Sequence, residues 1–178
     1  MSHIDYKVDG KKVPSVTTTL GRYKNATGLL IWSNKLGLEG KSYHSELNKA
    51  GDIGTDFHEL AEKHITNEYY ELPEKSFCCR KYKYGGTADL LVNGDTLVDF
   101  KTSKQVYDDH LVQLGAYKYM IEEQDGIQIN KGILARFGKE TDDFEIRNFT
   151  KSDLNKGWKY FKLLREAFDL DKEVSKLT

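Results

Sequence analysis

Two short apolar runs with a turn sequence between them mark the middle of the chain. The runs are Leu-Leu-Val at residues 90–92 and Leu-Val at residues 97–98, and Asn-Gly-Asp at 93–95 separates them. Apolar runs joined by an Asn-Gly turn are the strongest local signal for a β-hairpin. We therefore predict a hairpin over residues 86–102.

Apolar residues recur every three or four positions before and after this hairpin, which predicts amphipathic helices. Ser15 and Ser152 are the expected N-caps of the first and last helices. Glycines at 51 and 54 predict a break between the third and fourth helices. The predicted helices cover about residues 15–23, 29–38, 42–50, 55–65, 108–123 and 152–170.

Further extended segments are predicted as a hairpin over 6–13, a strand over 77–84, and strands over 127–137 and 144–149. The order of elements predicts an α/β fold, in which a central sheet is flanked by helices. A chain of 178 residues suits one domain. We expect a single domain over 1–178, mainly helical over 1–66 and with the sheet in 67–178.

The net charge of −1 argues against a uniformly basic nucleic-acid-binding protein. The charge is uneven, however, with 8 Lys and Arg against 4 Asp and Glu in residues 1–50, and 19 against 24 in the remainder. This difference is either a chance fluctuation or a division in which the N-terminal segment contacts phosphates and the acidic part holds metal.

The cysteine content indicates the compartment. The only cysteines, Cys78 and Cys79, are adjacent, and neighbouring cysteines rarely bridge each other, so we expect a reducing environment. A four-cysteine zinc or iron–sulfur site cannot form within one copy of the chain. No signal or transit peptide and no bilayer-spanning apolar run is visible. We expect a cytoplasmic, intracellular protein without a membrane association, in the host-cell cytoplasm if the source is viral.

The predicted hairpin carries candidate chemistry. Asp89 near the start of its first strand lies across from Asp99 near the end of its second, so both carboxylates can reach one cation. Lys101 is two residues after Asp99 and points to the same face. Two carboxylates that hold a divalent metal beside a lysine can serve phosphodiester cleavage. The alternative is a structural Asp–Lys pair without a catalytic role.

Two helices beside the hairpin add polar pairs. His58 and Glu62 are four residues apart on the helix before it, and Gln113 and Tyr117 are four apart on the helix after it. Such pairs share a helical face. Taken singly, each pair also fits an ordinary amphipathic helix.

In combination, these motifs resemble the RecB-type nucleases of the PD-(D/E)XK superfamily. The motifs are Gly54-x-x-x-His58-x-x-x-Glu62, Gly86-x-x-Asp89, Asp99-x-Lys101-Thr102 and Gln113-Leu114-x-x-Tyr117. Residues 14–17 and the strand–strand–helix ending are also similar to small phage and viral exonucleases and to the mitochondrial genome maintenance exonuclease. The resemblance implies a restriction-endonuclease-like core with a central mixed β-sheet flanked by helices, plus an N-terminal helical subregion.

The resemblance also implies roles for single residues. The implied metal ligands are the side chains of His58, Asp89 and Asp99 and the backbone carbonyl of Phe100. Lys101 would be the catalytic lysine, and Gln113 and Tyr117 would orient it or contact DNA. Glu62 would assist the metal site or support His58. The cofactor would be Mg²⁺ or Mn²⁺ without an iron–sulfur cluster. Many relatives carry Glu where this chain has Asp99.

The N-terminal third mixes basic and aromatic residues. Aromatic side chains stack on bases and lysines neutralise phosphates, which suits single-stranded nucleic acid. The candidate contacts are Tyr23, Lys24, Trp32, Lys35 and Lys41. Alternatively, Trp32 belongs to the core and the lysines form a solvated face.

The leading hypothesis is a metal-dependent DNA exonuclease that prefers single strands or free ends and acts in DNA replication, repair or recombination, with other proteins of those processes as potential partners. A structure-specific endonuclease would use the same active site. A catalytically inactive nucleic-acid-binding relative is a third hypothesis, but the complete set of His58, Asp89, Asp99 and Lys101 argues against it. The last alternative is an unrelated α/β protein in which the motifs are accidental.

Overall fold

A mixed sheet with the predicted hairpin inside it organises the protein. The computed structural model describes residues 4–65, 70–71, 75–138 and 143–177. The strands of the described residues are β1 (Lys7–Val8), β2 (Lys11–Lys12), β3 (Tyr70–Glu71), β4 (Lys75–Cys79), β5 (Tyr84–Ala88), β6 (Leu90–Val92), β7 (Thr96–Thr102), β8 (Lys131–Phe137) and β9 (Phe144–Thr150). The helices are α1 (Val16–Arg22), α2 (Thr27–Leu38), α3 (Tyr43–Ile65), α4 (Asp108–Asp125) and α5 (Lys151–Val174).

The sheet has the order β3-β6-β7-β8-β9, and only the β7–β8 pair is parallel among these neighbours. Parallel neighbours need a long crossover connection, and α4 supplies it between β7 and β8. The sheet is therefore mixed, as expected. The pairs β1–β2 and β4–β5 form two further antiparallel ribbons.

The predicted central hairpin is confirmed for β6 and β7, where Leu90 pairs with Val98. In its turn Asn93 and Gly94 have φ angles of 53° and 71°, a left-handed pair that an Asn-Gly sequence adopts readily. Residues 86–88 do not continue this hairpin. They belong to β5, which pairs with β4, and the chain changes partner at Asp89.

Two glycines bring α4 and α5 into backbone contact. A side chain at Gly115 would come within 2.2 Å of the Trp158 backbone nitrogen, and one at Gly157 within 2.4 Å of the Leu111 carbonyl oxygen. Trp158 then stacks on Tyr119 of α4 with ring centroids 3.9 Å apart. Burial of the apolar side chains of both helices against the sheet and the β4–β5 ribbon forms the core.

Several predicted bounds are wrong for physical reasons. Helix α3 runs without a break through residues 51–54, because a helical glycine costs only about 1 kcal/mol and does not forbid the helix. The predicted strand over 77–84 is a hairpin, since residues 80–83 turn the chain and Lys83 has a φ of 50°. Strand β8 begins at residue 131 rather than 127.

The capping predictions differ in outcome. The Ser15 hydroxyl accepts a hydrogen bond from the Thr18 backbone N–H at 2.9 Å, which confirms it as the N-cap of α1. Ser152 is not the cap of α5. Thr150 is, and it exchanges hydrogen bonds with Asp153 in a capping box. In the part of the chain that the structure describes, no helix is both long and apolar enough to span a bilayer.

Candidate active site

Two carboxylates meet at the open end of the β6–β7 hairpin. Asp89 directly precedes β6, and the Leu90–Val98 register places it opposite Asp99. The Asp89 Oδ2 accepts a hydrogen bond from the Phe100 backbone N–H at 2.7 Å. This hydrogen bond holds the Asp89 side chain against β7, at the position where the chain passes from β5 to β6. The two acids therefore converge as the hairpin predicted.

Asp99 is almost completely buried, with 1% of its surface exposed. Its Oδ2 lies 2.6 Å from Lys101 Nζ as an ion pair. Its Oδ1 is buried and has no hydrogen-bond partner among the described residues. A buried carboxylate oxygen without a donor is unfavourable, so this atom is poised for an external ligand.

The carboxylates fit a divalent cation, since hard oxygen ligands are those that Mg²⁺ prefers. Asp99 Oδ1 has lone pairs that no hydrogen-bond donor of the described residues uses, and a metal ligand needs such a lone pair. No group of three His, Cys, Asp or Glu side chains suited to a metal occurs within the described residues. The third ligand that the sequence predicts, His58, has its side chain outside the described residues.

Lys101 is held as a cation in this site. Burial lowers the pKa of its ammonium group, but the carboxylates of Asp99 and Asp89 raise it by more, so the net shift is upward from its ordinary value. An ammonium group of raised pKa is protonated at neutral pH. In this state Lys101 offers positive charge and hydrogen-bond donors to a neighbouring group.

Gln113 and Tyr117 of α4 face the same site. The Gln113 Nε2 donates to the Tyr117 phenol oxygen at 2.6 Å, and both side chains are buried. Burial raises the pKa of Tyr117, and the Asp99 and Asp89 carboxylates raise it further, so the phenol is neutral. Gly86 makes room for this ring, because a side chain there would come within 2.6 Å of Tyr117 Cε1.

Helix α3, which carries His58 and Glu62, lies beside the end of β7. A side chain at Gly54 would come within 3.3 Å of Thr102 Oγ1. His58 follows Gly54 by one helical turn in α3. The side chains of His58 and Glu62 are outside the described residues, so their roles stay predictions.

The predicted nucleic-acid-binding lysines have carboxylate neighbours. Lys24 pairs with Asp109 at 2.5 Å, and Lys35 and Lys41 approach the Glu39 carboxylate at 3.9 and 2.8 Å. Exposed pairs of this kind contribute little stability. Lys24 lies near the site, because Asp109 is in the first turn of α4.

The predicted aromatic contacts are accessible. Tyr23 follows α1 and has 38% of its surface exposed. Trp32 is partly buried and packs edge-on against Tyr43, with ring centroids 5.5 Å apart. Trp32 is therefore not part of the buried core, and the nucleic-acid role of this segment stays a prediction.

Two buried polar residues near Lys101 were missed by the sequence reasoning. His110 of α4 is buried, and its Nδ1 accepts from the Tyr107 backbone N–H at 3.3 Å. Burial lowers the pKa of His110, and the Lys101 charge lowers it further. Arg136 is paired with Lys101 in the β7–β8 register and donates to the Ser103 carbonyl at 3.0 Å. An arginine between apolar residues near the end of the predicted strand was the available signal for Arg136.

Comparison with solved structures gives matches of low sequence identity. An alkaline exonuclease from Laribacter hongkongensis matches with a TM-score of 0.51 and 13% identity, over 92% of this chain and 94% of that chain. A candidate exonuclease from Eubacterium rectale matches with a TM-score of 0.45 and 14% identity, over 85% of this chain and 73% of that chain. No family model matches the sequence, and no curated protein matches it with significance.

The match to the alkaline exonuclease extends over nearly the whole chain, so it includes both the helical N-terminal part and the sheet. At 13% identity, this match shows a shared fold alone. The chain therefore has the fold of that alkaline exonuclease, with a mixed sheet that contains the β6–β7 hairpin.

Proposed function

We propose that this protein is a metal-dependent DNA exonuclease that prefers single strands or free ends and serves DNA replication, repair or recombination. The observation that carries the proposal is the convergence of Asp89 and Asp99 beside Lys101, with one buried oxygen of Asp99 lacking a donor. The shared fold with an alkaline exonuclease supports nuclease chemistry.

The cofactor that fits is Mg²⁺ or Mn²⁺, held by Asp89, Asp99, the Phe100 carbonyl and His58. When bound, the metal lowers the pKa of water and neutralises phosphate charge. Lys101 places a fixed positive charge where negative charge develops on the phosphate in the transition state. The hydrogen-bonded side chains of Gln113 and Tyr117 form a buried polar wall beside the two acids.

The test is cleavage of a labelled single-stranded oligonucleotide by purified variants. Lys101→Ala and Asp99→Asn should each lose about 100-fold or more in rate, because each removes a preorganised charge. Lys104→Ala is the matched control, since Lys104 is an exposed lysine three residues further on. The proposal fails if Lys101→Ala cleaves as fast as the Lys104→Ala control, or if wild-type cleavage survives a chelator.

Exonuclease and endonuclease activity are separated by the topology of the substrate. An exonuclease degrades linear single strands and leaves covalently closed circles intact, whereas an endonuclease opens the circles. Matched substrates labelled at the 5′ or the 3′ end, in Mg²⁺ and in Mn²⁺, give the polarity and the preferred ion. RNA of the same sequence tests the choice of DNA.

An inactive nucleic-acid-binding relative is the remaining alternative. It predicts a shift of the labelled strand in a gel with no shortening in any metal. The presence of both Asp99 and Lys101, joined as an ion pair, favours a catalytically active protein over an inactive one.

A further inference from the structure

A pocket of about 360 Å³ opens between the start of α4, strand β9 and α5. A volume near the lower end of the range for ligand sites suits one nucleotide-sized group. The described lining includes Tyr107, Asp108, Arg147, Phe149, Lys156 and Tyr160.

Three aromatic rings line this pocket, and two of them face solvent. Tyr107 and Tyr160 have 43% and 54% of their surfaces exposed, and Phe149 is partly buried. Exposed rings that line one cavity offer flat apolar surfaces to a ligand. Flat rings of this kind stack on nucleobases of any sequence.

Two cations accompany the rings. Arg147 and Lys156 have exposed side chains whose carboxylate neighbours are Glu145, at 2.5 Å from Arg147, and Asp153, at 3.5 Å from Lys156. Exposed ion pairs are weak, so a phosphate can compete for both cations. Asp108 is the single acidic residue in the described lining.

The strand register places this pocket on the side of the sheet that carries Lys101. Lys101 pairs with Arg136 of β8, and Arg136 pairs with Glu145 of β9, so these side chains share a face. Arg147 is two residues beyond Glu145 and points the same way. Adjacent strands are about 4.8 Å apart, so β9 lies about 10 Å from the Lys101 strand.

We propose that this pocket binds an unpaired nucleotide of a single-stranded DNA substrate. Its base stacks on Tyr107 and Tyr160, and its phosphate contacts Arg147 and Lys156. The inference rests on the proposed nuclease function and names the substrate class, which is single-stranded DNA. It places a contact surface on α5 and β9, apart from the basic N-terminal third.

The test is the binding of a fluorescein-labelled dT₁₂ strand, measured by fluorescence anisotropy in a chelator so that no cleavage occurs. Tyr160→Ala should raise Kd about fivefold or more, because one stacking platform is lost. Tyr160→Phe should bind like wild type, since it keeps the ring. Leu170→Ala is the matched control, as Leu170 is also exposed on α5, with 60% of its surface free, but lies outside the pocket lining.

A second pair of variants tests the phosphate contact. Lys156→Gln should raise Kd and reduce the salt dependence of binding by about one ion. Lys162→Gln is the control on the same helix, where Lys162 lies over the Tyr82 ring. Replacement of the bases by abasic sites should weaken wild-type binding and abolish the difference between wild type and Tyr160→Ala.

The outcomes separate the two proposals. Equal Kd values for wild type, Tyr160→Ala and Leu170→Ala overturn the pocket assignment whether or not the protein cleaves DNA. A Tyr160→Ala defect that persists on abasic strands overturns base stacking. Specific binding that depends on Tyr160 without metal-dependent cleavage keeps the pocket and rejects the nuclease. Absence of dT₁₂ binding by wild type overturns the pocket assignment, and the cleavage assay alone then decides the nuclease proposal.

Discussion

Asp99 is a buried carboxylate that still has an oxygen able to bind a ligand. Burial of a carboxylate is expensive unless charges or donors offset it. The Lys101 ammonium group, 2.6 Å from Asp99 Oδ2, offsets part of the cost of burying this charge. Asp99 Oδ1 has no hydrogen-bond donor among the described residues. The incomplete pairing of Asp99 suits a residue whose full set of partners includes a bound cation.

The Gln113–Tyr117 pair gives a prediction at the same scale. Tyr117→Phe removes the phenol oxygen that accepts from Gln113 Nε2, so the buried amide loses its partner. We expect the free energy of unfolding to fall by about 1–3 kcal/mol. Urea denaturation monitored by circular dichroism measures this change.

The control for this prediction is the apolar pair Gln113→Leu with Tyr117→Phe. Removing both polar partners should restore part of the lost stability, while nuclease activity stays reduced because the polar contact beside Lys101 is absent. If the double variant is as unstable as the sum of the single ones, the two side chains are not energetically coupled.

At the scale of elements, α5 begins where a threonine rather than a serine completes the capping box. The Thr150 hydroxyl accepts from the Asp153 backbone N–H, and the Asp153 carboxylate accepts from the Thr150 backbone N–H at 3.1 Å. Both serine and threonine cap helices well, so sequence alone did not distinguish positions 150 and 152. The end of β9 determines which residue caps α5, because Thr150 is the last paired residue of that strand.

We predict that Thr150→Ala lowers the free energy of unfolding by about 1 kcal/mol, whereas Ser152→Ala changes it little. The Thr150 side-chain and backbone hydrogen bonds lower the pKa of Asp153. The stabilisation that these hydrogen bonds to the Asp153 carboxylate give the folded protein is fully present above the ordinary Asp pKa of about 3.9. It is lost as the pH falls through the lowered pKa of Asp153. Denaturation of both variants across that pH range is the measurement. A larger effect at residue 152 would contradict the assignment.

At the scale of the whole molecule, the candidate metal centre joins segments that are distant in the chain. Asp89 directly precedes β6, Asp99 lies in β7, and α4 supplies Tyr117 beside them. A ligand that binds this assembled site and not the unfolded chain stabilises the whole fold. A metal bound at this site would therefore raise the free energy of unfolding of the whole protein.

We predict that Mg²⁺ or Mn²⁺ raises the melting temperature of the wild-type protein. At a metal concentration 100-fold above Kd the stabilisation is about 2.7 kcal/mol. Differential scanning fluorimetry measures the shift, and Asp99→Asn should remove it. Ca²⁺, a hard cation of larger radius, tests selectivity. A melting temperature that is insensitive to every divalent ion would contradict the proposed centre.

Local signals in the sequence predicted much of this protein. The Asn-Gly turn fixed the β6–β7 hairpin, and helical periodicity located α4 within two residues at its end. The continuity of α3 through its glycines was not predictable in this way, because helix propensity is a weak preference that packing overrides. The change of partner at Asp89 was also missed, because residues 77–84 were predicted as one strand, which left no separate β4 for residues 84–88 to pair with.

The sequence by itself determined which residues carry the candidate chemistry, because residue type, turn geometry and the two-residue period of a strand place Asp89, Asp99 and Lys101 on one side of a hairpin. Tertiary structure decided their environment. Only packing buries Asp99, brings Tyr117 over the acids through the gap at Gly86, and opens the aromatic pocket between α4, β9 and α5. Burial and long-range contact arise from the folded chain as a whole, so no local pattern encodes them.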